Sequence, residues 1–180
     1  AVRSSTYLTL SWDKVSGASG YRIYRYNTDT QAYEKVITLT SGSTVSYKIT
    51  GLATAKEYQF KVRAYRKVDG VSTWGSSSAA YKDSTKPGQT KSLKASRKSS
   101  AVTLKWNKVT RASGYQIYRY NSKTKKYEKL ATVKGNATFF YKNTKLKKGT
   151  TVKYKVRAYK TYNGTNYYGA FSDIVSIKVK

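Results

Sequence analysis

The segment Ala18–Asn27 (ASGYRIYRYN) returns 94 residues later as Ala112–Asn121 (ASGYQIYRYN). The correspondence runs without a gap from Leu8/Val102 to Tyr65/Tyr159, and roughly half of those positions are identical. A long unit present twice means two tandem domains, since solenoids are built from three or more shorter units. Divided this way, 180 residues make two domains of about 90 each, enough for a modest core apiece.

Inside the repeat, apolar residues alternate with polar ones. Tyr21 and Ile23 point one way and Arg22 and Tyr24 the other, which reads as a strand with one buried face. Leu8, Leu10 and Trp12 alternate likewise, as do Val45, Tyr47 and Ile49, and then Tyr58, Phe60, Val62 and Ala64. Arg25 breaks the parity of its strand and implies a bulge or an end-of-strand twist. Asp69-Gly70 and Asn163-Gly164 mark tight hairpins, and Ser76 to Asp83 is the expected last strand. No window has helical periodicity. The predicted fold is all-β, with seven or so short strands per unit arranged as a sandwich. The expected domains are 1–85 and 91–180, with Pro87-Gly88 marking a linker over 86–90. Leu93 has no counterpart in the first unit, so that unit is expected to lack most of its first strand, as if cut from a longer protein.

Cys, Met and His are absent, which removes disulfides, thiolate and imidazole metal sites and every His-dependent triad. The carboxylates do not form a pair either. Asp13, Asp29, Glu57 and Asp69 become Asn107, Lys123, Thr151 and Asn163 in the second copy, and only Glu34/Glu128 persists. No oxygen-rich loop resembles a calcium site. Neither an enzyme nor a cofactor is expected. No apolar run approaches the length of a membrane span.

The charge is uneven. Of a net +28, residues 1–87 carry 13 basic and 6 acidic side chains (net +7), whereas 88–180 carry 23 and 2 (net +21). Such a field favours polyanions, or else serves solubility. No nucleic-acid recognition motif accompanies it.

Leu10-x-Trp12, Gly20-Tyr21-x-Ile23, Tyr47-x-Ile49-x-Gly51-Leu52 and Tyr58-x-Phe60-x-Val62-x-Ala64 together resemble a fibronectin type III domain. The second copy matches through Leu104, Trp106, Tyr115, Ile117, Tyr141, Leu146, Tyr154, Val156 and Ala158. The wording VSGASGYRIYRYN is similar to repeats in secreted and surface proteins of Gram-positive, gut-type anaerobes. The resemblance implies two tandem seven-stranded immunoglobulin-like sandwiches, an extracellular or cell-wall setting and a spacer or binding role. Its partners would be other domains of the same polypeptide, and anionic wall polymer or polysaccharide. Two departures stand out: Val152 replaces the corner tyrosine Tyr58, and Asn143 replaces Ile49. An apolar corner is the expected substitute.

Three surfaces are candidates. The first is an outward Tyr/Arg/Lys ladder of Arg22, Tyr24, Lys61, Arg63 and Tyr65, repeated as Tyr118, Tyr120, Lys155, Arg157 and Tyr159. It suits stacking on sugars or bases, and equally cross-strand pairing that keeps a sheet soluble. The second is the aromatic hairpin with Trp74, copied as Tyr167 and Tyr168, either gripping a ligand from a loop or folded back over the sheet edge. The third is a polyanion contact on two lysine-rich turns, Lys123, Lys125, Lys126 and Lys129, and Lys145, Lys147 and Lys148. Solvated turn lysines are its plain alternative.

Overall fold

A computed structural model of the chain describes residues 2–180. It forms two compact units, 1–85 and 86–180. In the first unit the strands are β1 (Val2–Arg3), β2 (Leu8–Ser11), β3 (Gly20–Asn27), β4 (Ala32–Leu39), β5 (Ser46–Ile49), β6 (Glu57–Val68), β7 (Val71–Ser77) and β8 (Tyr81–Ser84). One sheet has the order β1-β2-β5. The other is β4-β3-β6-β7, with β8 also on β6, and every pairing is antiparallel. The second unit repeats the plan with β9 (Lys94–Lys98), β10 (Ala101–Lys105), β11 (Gly114–Asn121), β12 (Lys126–Lys134), β13 (Phe140–Asn143), β14 (Thr151–Tyr162), β15 (Thr165–Tyr168) and β16 (Val175–Lys178). Among the described residues no helix is long and apolar enough to cross a membrane.

Alternation builds each core. Leu8, Leu10, Ile23, Ile49, Leu52 and Phe60 are buried together in the first unit. Val102, Leu104, Ile117, Leu146, Tyr154 and Val156 do the same in the second. The irregularity expected at Arg25 is a bulge, and it lies in the partner strand. Ile23 pairs with Ile37 but Tyr24 with Lys35, so Val36 is the extra residue, and Leu130 repeats it. Consecutive residues Val36 and Ile37 therefore both reach the core.

The repeated ASGY segment ties loop to core. The buried Tyr21 hydroxyl accepts from the Val15 amide at 2.9 Å, and Tyr115 from Val109 at 2.8 Å. This satisfies a phenol that burial would otherwise penalise. Each ring lies against the sandwich tryptophan, Trp12 at 5.4 Å and Trp106 at 5.2 Å. Gly20 and Gly114 follow from contact: a Cβ at Gly20 would fall 2.1 Å from the Leu39 carbonyl and 2.7 Å from the Tyr65 ring.

Asp69-Gly70 and Asn163-Gly164 form the expected two-residue turns, with all four residues at positive φ. This is the hairpin geometry that matches strand twist. The expected last strand is interrupted. The chain leaves the ladder at 78–80, where the Ser78 amide bonds the Val62 carbonyl and its hydroxyl accepts from the Val62 amide, and resumes as β8. Residues 86–90 lie with the second unit. Pro87 and Thr90 are buried, and the Gln89 side chain donates to the Phe171 carbonyl at 3.0 Å.

Candidate functional site

The outer face of the larger sheet in the first unit is a stack of cations and rings. Arg22 and Arg63 face each other across β3 and β6, and Tyr24 faces Lys61. Trp74 lies over them, 4.1 Å from Arg22 and 5.7 Å from Arg63, while Lys61 sits 4.5 Å from the Tyr33 ring. Tyr65 faces outward as expected, yet it is buried. Its ring crosses Gly20, and Trp74 covers it at 4.9 Å. Tyr159 is buried over Gly114 in the same way. These two tyrosines are the floor of the ladder and offer little face to a ligand.

The aromatic residues expected on a loop lie in strands. Trp74 belongs to β7 opposite Tyr65, and Tyr167 and Tyr168 belong to β15 opposite Lys160 and Tyr159. The register of β6 with β7 shifts between Arg63 and Tyr65, which places Gly75 in a bulge and lets the Arg63 guanidinium donate to the Gly75 carbonyl.

The second unit assembles the same face from different parts. Gln116 stands where Arg22 does, and its side-chain oxygen accepts from Arg157 at 3.0 and 3.2 Å and from the Tyr118 hydroxyl at 3.0 Å. Arg157 lies 3.9 Å from the Tyr168 ring and 4.9 Å from Phe171, while Lys155 lies 4.0 Å from Phe171 and 4.5 Å from Tyr127. Lys153 reaches over Tyr120 at 5.8 Å. The ladder cations are thus engaged inside each domain, where stacked contacts each contribute roughly 0.5–1 kcal/mol when exposed and more when desolvated.

The lysine turns behave otherwise. The β11–β12 turn is fastened by Asn121, whose side-chain oxygen accepts from the Lys123 amide and whose amide donates to Glu128. Hydrogen bonds from Thr124 and Asn121, with Arg119 nearby, hold the Glu128 carboxyl below its usual range. Beside this turn lies the loop between β13 and β14. Between them opens a cleft of about 620 Å³ with Arg119, Lys123, Lys145, Lys147 and Lys153 on its walls and no carboxylate among its lining residues. Lys125, Lys126, Lys129 and Lys148 are exposed outside that lining. The sequence treats these turns as separate clusters, and the structure joins them. Among the described residues no group of three His, Cys, Asp or Glu could hold a metal.

The departures at Asn143 and Val152 are resolved at the same end of the domain. Asn143 is buried and donates to the Tyr154 hydroxyl at 2.8 Å, where the first unit packs Ile49 near Phe60. Burial raises the Tyr154 pKa, partly opposed by that hydrogen bond and by Arg119. At the corner position itself Val152 packs against the core, and the buried tyrosine hydroxyl lies two positions further along β14, on Asn143.

Comparison with known proteins bears on the fold. Residues 1–79 match the family model of the fibronectin type III domain. A two-domain fibronectin type III segment of chicken tenascin aligns over 100% of this chain and 95% of its own, at 18% identity and a TM-score of 0.58. The chicken CNTN1 FN1–FN3 domains align over 98% of this chain and 61% of theirs, at 21% identity and a TM-score of 0.47. No curated protein matches the chain. The architecture is two fibronectin type III-like sandwiches.

Proposed function

We propose that the chain is a non-catalytic spacer and interaction module of a larger secreted or wall-associated bacterial protein, and that it lies against anionic wall polymer through its second unit. Fibronectin type III domains serve as spacer or interaction modules in multidomain proteins, and they are typical of extracellular ones. The observation that carries the reading is the convergence of turn lysines in the second unit around space without a carboxylate. The ladder cations contribute less, because aromatic faces already occupy them. For the same reason, stacking of a neutral glycan on Trp74 or Tyr168 is the weaker reading: Arg22 lies over one ring and Arg157 over the other.

The test is sedimentation of the chain with purified Gram-positive cell wall, with and without its anionic polymer, from about 50 to 500 mM salt, a range over which exposed charges become strongly screened. Retention should fall with salt and with removal of the polymer. Retention on starch or cellulose at high salt would replace this reading with carbohydrate binding.

A further inference from the structure

The basic cleft of the second unit stands where the first unit has its corner tyrosine. In the first unit the Tyr58 ring stacks on Phe60 at 6.2 Å, and its hydroxyl accepts from the Ala53 amide at 2.7 Å, so a ring fills the angle between β6 and the preceding loop. The equivalent residue in the second unit is Val152, and the equivalent of Ala53 is Lys147, and both line the cleft. Losing the ring leaves an open floor of Val152 and Leu146. The walls change in step. Arg119, Lys123, Lys145, Lys147 and Lys153 correspond to Arg25, Asp29, Gly51, Ala53 and Gln59. Five cations thus stand where the first unit has one cation and one carboxylate. Thr151, also in the lining, replaces Glu57 and removes a second carboxylate.

From this we infer that the vacated corner is an oxyanion site, shaped for a compact group with several negative charges carried on phosphate or sulfate. Ammonium groups act as point charges toward such oxygens, and Arg119 adds a guanidinium fork. Thr150 and Asn121 share the lining but are engaged elsewhere, the Thr150 hydroxyl donating to the Lys147 carbonyl at 2.6 Å and the Asn121 amide to Glu128 at 2.9 Å, so the cations carry the site. Space and charge have to coincide, because exposed lysines without a cavity are screened by salt and hold nothing in place. Glu128, across the strand pair from Arg119, is engaged by Thr124 and Asn121 rather than turned into the lining. The inference rests on the polyanion reading above and narrows it from a charged face to one place.

The experiment is titration of the full chain with sodium tripolyphosphate, followed by backbone amide shifts. A persulfated disaccharide serves as the sulfate arm and glycerol phosphate as the singly substituted control. Shifts should concentrate at Leu146, Val152 and Thr150, and glycerol phosphate should bind far more weakly. Val152→Tyr is the decisive variant, since it restores the ring without changing charge. It should weaken tripolyphosphate binding by roughly tenfold or more, the loss expected when charge-assisted contacts are blocked. Lys145→Ala/Lys147→Ala should do the same, whereas Lys125→Ala/Lys126→Ala, an equal loss of charge outside the cleft, should change affinity less than about twofold. Melting curves of each variant confirm the fold. Unchanged affinity in Val152→Tyr, or equal losses from both lysine pairs, would overturn the site. Wall retention that survives Val152→Tyr while tripolyphosphate affinity is also unchanged would overturn the site and leave the wall reading intact. Tripolyphosphate binding in the cleft without wall retention would do the reverse.

Discussion

The two units share a backbone plan and roughly half of the residues from Leu8 to Tyr65, yet they satisfy the same structural needs with different chemistry. Where the first unit packs Ile49 near Phe60 and fastens its corner with Tyr58, the second buries an Asn143–Tyr154 hydrogen bond and leaves the corner open. Where the first closes its last strand with Asp83, buried and paired with Arg3 at 2.5 Å, the second has Ile177, and Arg97 donates to the Lys178 carbonyl instead. Where the first lays Trp74 over two neighbouring arginines, the second sets one arginine among Tyr168, Phe171 and Gln116. The differences fall in matched sets. The corner tyrosine hydroxyl of the first unit has its counterpart two positions further along the strand in the second, where Asn143 on β13 donates to it.

The comparison breaks most visibly at Arg3. Arg3→Ala should cost the first unit about 3 kcal/mol, because it strips a buried carboxylate of its counter-charge. Arg97→Ala should cost under about 1 kcal/mol, since an exposed hydrogen bond to a carbonyl is lost. Urea unfolding followed through resolved amide signals of each unit separates the two. Next come Asn143→Ile and Tyr154→Phe, each leaving one buried polar group unpaired at about 2 kcal/mol, while the double variant, which reproduces the first unit's pair, should return close to wild type. A cycle that sums without coupling would show that the bond contributes nothing.

The same tyrosine predicts a pH dependence. Burial raises its pKa, so its contribution is fully present below the ordinary tyrosine range and is lost as pH rises through the raised folded value. The second unit should lose stability in alkaline solution, and Tyr154→Phe should flatten that loss in a pH series of melts. A smaller effect is expected on the ladder. Trp74→Ala, which uncovers Tyr65 and removes the ring lying over two arginines, should cost about 2 kcal/mol, and Tyr168→Ala about 1, because Phe171 still holds Arg157. The smallest is Tyr58→Phe, a single lost acceptor for the Ala53 amide, at about 1 kcal/mol or less. Amide exchange at Ala53 reads it directly.

The strands, their facing residues and the paired domains were legible because alternation and a 94-residue repeat are local or self-referential signals. The outward placement of Arg22, Lys61 and Arg63 was legible for the same reason. What covers them was not, since the position of Trp74 over Arg22 depends on a register shift at Gly75 that no alternation reports. Parity places Tyr65 outward, and its burial comes from the close approach of Gly20 on the neighbouring strand and the cover of Trp74. The cleft was least legible. It arises from a missing ring, and its walls come from two turns more than twenty residues apart.

The hairpin turns carry one more consequence, on the timescale of chemical ageing. Asn163-Gly164 is exposed, and in Asn-Gly the glycine places no side chain in the way when its backbone nitrogen attacks the Asn163 side-chain carbonyl, expels ammonia and closes a succinimide ring that water then opens. The product with an unaltered backbone is aspartate, which the first unit already holds at the same turn position, Asp69, with nearly the same positive φ. That route is conformationally harmless and removes one unit of net positive charge from the more basic half. The isoaspartyl route inserts an extra backbone atom into a two-residue turn, and there the hairpin that presents Tyr167 and Tyr168 would lose its register. As the chain ages, its second unit drifts electrostatically toward its first.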